Sequence, residues 1–88
     1  MNLLSVRVVS PNGELYNLKA RSVSSNNSAG RFDILPGHAN FVTFLSGKKI
    51  DLVLDTKEQM QLDYPVGIIQ VGRDKVTIFV DVEALKSI

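Results

Sequence analysis

The chain has 88 residues, ten basic and nine acidic, giving a formal net charge of +1, with a single histidine and no cysteine. That length predicts one domain over residues 1–88, built round one core. The missing cysteine excludes a disulfide framework and a thiolate zinc site. Balanced charge without a basic, aromatic-interleaved stripe argues against nucleic-acid binding, and no apolar run approaches the ~20 residues of a membrane-spanning helix.

Met1-Asn2-Leu3-Leu4 lacks the charged start and apolar core of a signal peptide, so the cytosol is the default compartment. Leu4, Val6 and Val8 then alternate with Ser5, Arg7 and Val9, the period of a half-buried strand. Pro11-Asn12-Gly13 ends it in a turn. Glu14 to Lys19 reads as the returning strand with Leu15 or Tyr16 inward, and Ala20 to Ser24 continues it round Val23. The polar run Ser24-Ser25-Asn26-Asn27-Ser28-Ala29-Gly30 reads as a loop.

Phe32 to Leu35 is a short strand ended by Pro36-Gly37, and Phe41 to Leu45 is another, ended by Ser46-Gly47. Ile50, Leu52 and Leu54 give the next alternation, and Met60 and Leu62 the one after. Pro65 falls where a strand begins, at an edge or bulge. Ile68-Ile69-Gln70-Val71, the turn Gly72-Arg73-Asp74-Lys75, and Val76 to Val80 form the strongest hairpin signal. Only Val82 to Ile88 offers the start of a helix.

Eight or nine short strands point to an all-β fold, a two-sheet β-sandwich or flattened barrel. Its expected core is Val6, Val8, Ile34, Leu52, Leu54, Ile68, Ile78 and Val80.

Candidate chemistry is sparse. His38 with Asp33 suggests a general base, but no cysteine, second histidine or G-x-S-x-G serine completes a catalytic set. One histidine and scattered carboxylates lack zinc-ligand spacing. Asp51 and Asp55, four apart on a strand, read as one charged outer face. No glycine-rich loop precedes a helix, so no phosphate cradle is expected. Arg31 stands beside the Pro-Gly turn, exposed.

The run Gly30-Arg31-Phe32-Asp33-Ile34-Leu35-Pro36-Gly37-His38-Ala39, followed by Thr43, resembles the signature loop of the ε subunit of F-type ATP synthases. Val66 to Val71 with Lys75 to Asp81 resembles that family's closing hairpin, and Leu3 to Ser10 leading into Pro11-Asn12-Gly13 its opening strand. The resemblance implies the N-terminal β-sandwich domain of that subunit, about ten short strands at the foot of the central stalk. It implies a rotor part that links the γ subunit to the c-ring in proton- or sodium-driven ATP synthesis, without enzymatic activity, cofactor or metal of its own. Carried over by position, Ser10, His38 and Thr43 face the γ subunit, and Arg31, Phe32 and Asp33 face the c-ring.

The implied location is peripheral, at the cytoplasmic face of the bacterial inner membrane, without insertion into it. An isolated copy, with its γ-binding patch uncovered, is expected to self-associate. The alternative is a free-standing β-sandwich that binds a small ligand.

The chain departs from the family at named places. Arg31 stands where an acidic residue is frequent, Asp33 where glycine is, and Asn40 where proline is. Pro65-Val66-Gly67 replaces a common Ser-Gly-Gly. After Asp81 come Val82, Glu83, Ala84 and Leu85 rather than the Asp-x-x-Arg-Ala nucleotide motif, so no ATP binding is expected. The sequence stops at Ile88, short of the two-helix C-terminal domain, and helix-mediated inhibition is not expected either.

Overall fold

The computed structural model describes residues 2–47 and 49–81. Eight strands lie among them: β1 (Leu4–Ser10), β2 (Gly13–Asn27), β3 (Gly30–Ile34), β4 (Phe41–Ser46), β5 (Lys49–Leu54), β6 (Gln59–Asp63), β7 (Val66–Gly72) and β8 (Lys75–Val80). The expected helical start at Val82 to Ile88 lies outside the described residues.

All eight strands join one hydrogen-bonded sheet in the order β4-β7-β8-β1-β2-β5-β6, with β3 added to β2. Only β1 and β8 run parallel. The fold is all-β, as the alternation requires. It curls as one sheet rather than dividing into two that share no hydrogen bonds.

Strand β2 makes that curl. At 15 residues a straight strand would reach about 50 Å, beyond the 43 Å longest dimension of the molecule. The pairing slips between Val8 and Val9 on the β1 side and between Ala20 and Ser22 on the β5 side. Such bulges bend a strand and increase its twist. Residues before the second slip pair with β1, and residues after it pair with β5 and β3. One strand thus carries the sheet from its pairing with β1 to its pairing with β5 and β3.

Of the polar run expected as a loop, Ser24 to Asn27 form the end of this strand, only Ser28 and Ala29 turn, and Gly30 opens β3. Two flanking strands satisfy its backbone, and its short side chains find partners. Ser25, 1% exposed, donates to the Lys49 carbonyl at 2.7 Å, and Ser24 donates to Asp33 at 2.6 Å. A hydroxyl with a fixed acceptor can be buried at little cost, so polarity did not dictate a loop here.

One core fills the curl: Leu4, Val6 and Val8 of β1, Ala20 and Val23 of β2, Ile34, Ile50, Leu52, Ile69, and Val76, Ile78 and Val80 of β8 are all buried. Two expected members differ. Leu54 is half-buried against the core edge. Ile68 points outward, because Ile69 is the residue set opposite buried Ile78. Tyr16 takes the core side opposite Val8 but sits at the rim, 38% exposed, while Leu15 faces out at 46%. Asp55 lies beyond the end of β5, so it shares no strand face with Asp51. Pro65 directly precedes β7 and its carbonyl accepts the Gly47 amide at 2.8 Å.

Candidate interaction surface

The segment from β3 to β4 has its shape set by one turn. Pro36 supplies the fixed φ of the first corner, Gly37 the positive φ of 87° at the second, and the His38 amide donates to the Leu35 carbonyl at 3.0 Å. That is a type II turn, which demands glycine at the Gly37 position. The Gly37 amide in turn donates to Asp74 Oδ1 at 2.7 Å. Asp74 belongs to the β7–β8 turn, where it and Arg73 both have positive φ, 61° and 51°. Its carbonyl accepts the Ser5 amide at 2.8 Å. Three distant segments therefore meet at Asp74.

His38 is half-buried, with Nδ1 at 2.7 Å from the Ala39 carbonyl. A ring nitrogen facing a carbonyl carries the hydrogen. The imidazole meets Phe41 edge-on at 5.5 Å, and Phe41 meets Phe32 at 5.3 Å. This aromatic chain fixes the loop against β3 and β4. Asp33 is committed elsewhere: Ser24 Oγ and Arg31 Nη2 both donate to its Oδ1, at 2.6 and 3.2 Å. The Ser24 hydrogen bond, reinforced by Arg31, holds the Asp33 carboxyl below its ordinary value against a smaller desolvation effect.

Arg31 and Asp33 thus form a connected pair on the outer side of β3, whereas Phe32, between them, points to the other side and packs against the core and Phe41. The pair borders a groove of about 630 Å³ across the outer side of β3, β2, β5 and β6. Register lines up Asp33, Ser24, Asp51 and Gln61 along it, and Gln61 Nε2 donates to Asp51 at 2.7 Å. This outer face is polar. Among the described residues no three metal-ligating side chains come together.

Ser10, His38 and Thr43 are not brought together. Ser10 closes the β1–β2 turn, accepting the Asn12 amide and donating to the Gly13 carbonyl, both at 3.2 Å. It lies about 17 Å along β1 from Ser5, where the strand meets Asp74 near the His38 loop. Thr43, midway along β4, accepts Asn27 Nδ2 at 2.9 Å. That bond fastens β4 to the end of β2.

The other outer face has the opposite character. Pairing sets Phe44 beside Ile68, Ile68 beside Phe79, and Phe79 beside Val9. Leu15, the extra residue at the β1–β2 bulge, extends the row by strand alternation. An apolar row therefore crosses β4, β7, β8, β1 and β2 on the side away from the core. Phe44 is 50% exposed, and Val42, two residues along β4, is 67% exposed. Sequence reasoning missed this row. Its trace was there, in strands apolar on both faces such as Ile68-Ile69 and Ile78-Phe79, but only the register aligns them.

A family model described as the ATP synthase, Delta/Epsilon chain, beta-sandwich domain matches residues 3–85. The chain belongs to the ATP synthase delta/epsilon family. An ATP synthase epsilon chain of Campylobacter hominis is 39% identical over 80 residues, covering 89% of this chain and 61% of that relative. One from Sulfurimonas denitrificans is 30% identical over 81 residues, covering 92% and 62%. The chain thus spans about three-fifths of the length of these relatives.

The delta/epsilon fold also appears in a structure of the Euglena gracilis mitochondrial ATP synthase. Its TM-score is 0.80 at 16% identity, over 97% of this chain and 60% of that one. For the central stalk and c-ring structure of the Tetrahymena thermophila mitochondrial enzyme the TM-score is 0.73 at 12% identity, over 88% and 62%. At those identities the likeness is one of fold. In this domain the His38 loop is a structural corner, and the apolar row runs across the outer face from half-exposed Phe44 to Leu15.

Proposed function

We propose that this domain is a central-stalk part of a rotary ATP synthase, linking the γ subunit to the c-ring and making no bonds itself. The observation that carries the reading is the apolar row Phe44–Ile68–Phe79–Val9–Leu15 on the face away from the core, exposed at its two ends and half-buried at Ile68, Phe79 and Val9, in a chain of the delta/epsilon family. A rigid sheet with such a row loses exposed apolar area on docking, and a stable contact buries about 800 Å² per partner.

In this reading γ lies along the row. Ser10 and His38 stand at the two ends of the face and Thr43 holds its β4 edge, so the three frame the contact. Arg31 and Asp33 on β3, with Phe32 packed behind them, meet the polar loops of the c-ring, where the Arg31–Asp33 ion pair offers one charge of each sign. The curled sheet then works as the family's ten-stranded, two-layer sandwich, divided at the β2 bend. The domain sits peripherally at the cytoplasmic face of a bacterial inner membrane. No helix among the described residues is long and apolar enough to cross a membrane. Alone in solution, the uncovered row drives self-association.

The test is co-purification of the chain with its cognate γ subunit and γ–c-ring assembly. The wild-type chain is retained by both, and Arg31→Glu and His38→Ala weaken retention. A wild-type chain that binds neither assembly contradicts the proposal.

A further inference from the structure

On one side of the apolar row the next paired positions are Ser46 and Val66, with no cation in register. On the side of the β7–β8 turn, two residues further along each strand, lies the row Val42–Gln70–Thr77–Arg7–Asn17. Two residues beyond that, Gly72, Lys75, Ser5 and Lys19 stand in register. The second of these rows lies about 13 Å from the apolar one. It carries Lys75 and Lys19, with Arg73 in the adjoining turn. Lys19 Nζ donates to Ser5 Oγ at 2.6 Å, which holds one ammonium upright at this flank.

Among the described residues no carboxylate lies within ion-pair distance of Lys19, Arg73 or Lys75. Two carboxylates beside these rows are engaged: Glu14 by Arg7 at 2.7 Å, and Asp74 by the Gly37 amide, while Asp55, whose amide donates to the Lys19 carbonyl at 3.2 Å, makes no ion pair with Lys19. A groove of about 370 Å³ opens on the same flank, lined by Val42 and Gln70 of the nearer row and by Lys75 and Arg73 beyond it. Along the strands it runs from Val42 and Gln70, next to the apolar row, to the cations Lys75 and Arg73.

We infer that this face takes an amphipathic segment of a protein partner, with its apolar ridge along the Phe44–Leu15 row and its carboxylates toward Arg73, Lys75 and Lys19. The inference rests on the reading of the row as the γ-docking surface, and adds the chemistry and direction of what docks there. Apolar contact along the row holds the complex. The one-sided cationic flank selects which way round the partner lies and speeds its arrival, since complementary charge acts mainly on association and register. An acidic residue about 13 Å to one side of an apolar ridge is the matching feature, on a helix or a strand alike.

The experiment measures association and dissociation rates between the chain and its cognate γ subunit, at about 20 mM and about 0.5 M salt. It compares wild type with a triple variant, Lys19→Gln/Arg73→Gln/Lys75→Gln, and with Phe44→Ser. For wild type the association rate falls roughly 10-fold or more between the two salts. The triple variant associates slowly at both and dissociates at nearly the wild-type rate. Phe44→Ser dissociates faster and keeps the salt dependence.

A wild-type association rate that ignores salt, or a triple variant with the wild-type rate, overturns the inference. If binding persists in those cases and Phe44→Ser still weakens it, the docking proposal survives without it. If wild type does not bind γ at all, both fall. Vesicles with anionic lipid provide the control: cation-dependent retention on them, with γ association unchanged in the triple variant, assigns the flank to headgroups and overturns the inference too.

Discussion

The Gly37 amide donates to Asp74 Oδ1 at 2.7 Å, across 37 residues of sequence. Asp74 holds a positive φ of 61°, which a glycine there would adopt without strain. An aspartate kept in a glycine's conformation, with its carboxylate on a loop amide, acts as a latch between the β7–β8 turn and the Pro36-Gly37 corner. Asp74→Gly relieves the backbone and removes the acceptor, whereas Asp74→Asn keeps an oxygen in place. Amide hydrogen exchange separates these effects. Gly37 exchanges roughly 10-fold or more faster in Asp74→Gly, a loss of about 1.5 kcal/mol or more for a bond to a charged acceptor. In Asp74→Asn most of the protection remains. Unchanged Gly37 protection in Asp74→Gly contradicts the latch.

Gly37 offers a second test, of backbone alone. A Cβ added there meets nothing within 4 Å, so a larger side chain is not crowded. The φ of 87° is still unfavourable for an L-residue. Gly37→Ala is therefore expected to destabilise the domain by about 1–2 kcal/mol. Urea unfolding shows this as a lower midpoint with an unchanged slope. An unshifted midpoint means that the turn relaxes into another form.

Much of this architecture was legible in the residues. Leu4, Val6 and Val8 announced β1 by period, and Leu35-Pro36-Gly37-His38 announced its turn, because proline and glycine each leave little backbone choice. The β7–β8 hairpin was legible for the same kind of reason. The Ser24–Asn27 stretch was misread because composition cannot show that two neighbouring strands will satisfy its backbone. The apolar row was invisible for a related reason. Phe44, Ile68, Phe79 and Val9 are scattered in sequence and meet only through the pairing of four strands. The candidate site residues divide likewise. Arg31 and Asp33, two apart on one strand, do meet, while Ser10 and His38 are separated by the length of β1.

Asp33 supplies the pH test. The Ser24 hydrogen bond and the Arg31 charge lower its folded-state value relative to the ordinary 3.8. A lowered carboxyl contributes stability that is present above the unfolded value and is lost as pH falls through the folded one. Ser24→Ala removes the largest cause, so the Asp33 carboxyl rises toward its ordinary value and the acid-side loss of stability from this group shrinks. Carboxyl carbon NMR titration of wild type and variant reads this directly. Coincident titration curves contradict the assignment.

The central claim is that the Phe44–Leu15 row, on the face away from the core, is where the γ subunit docks. Its most direct measurement is the affinity of the cognate γ subunit for wild type and for Phe44→Ser, by calorimetric titration. Phe44 is half exposed at the β4 end of the row, so the variant keeps the fold. Truncating an aromatic anchor of a docking face costs about 1–4 kcal/mol. The account predicts affinity weakened at least several-fold, in a variant that circular dichroism shows folded at the temperature of the titration. Equal affinity of the two proteins for γ contradicts it.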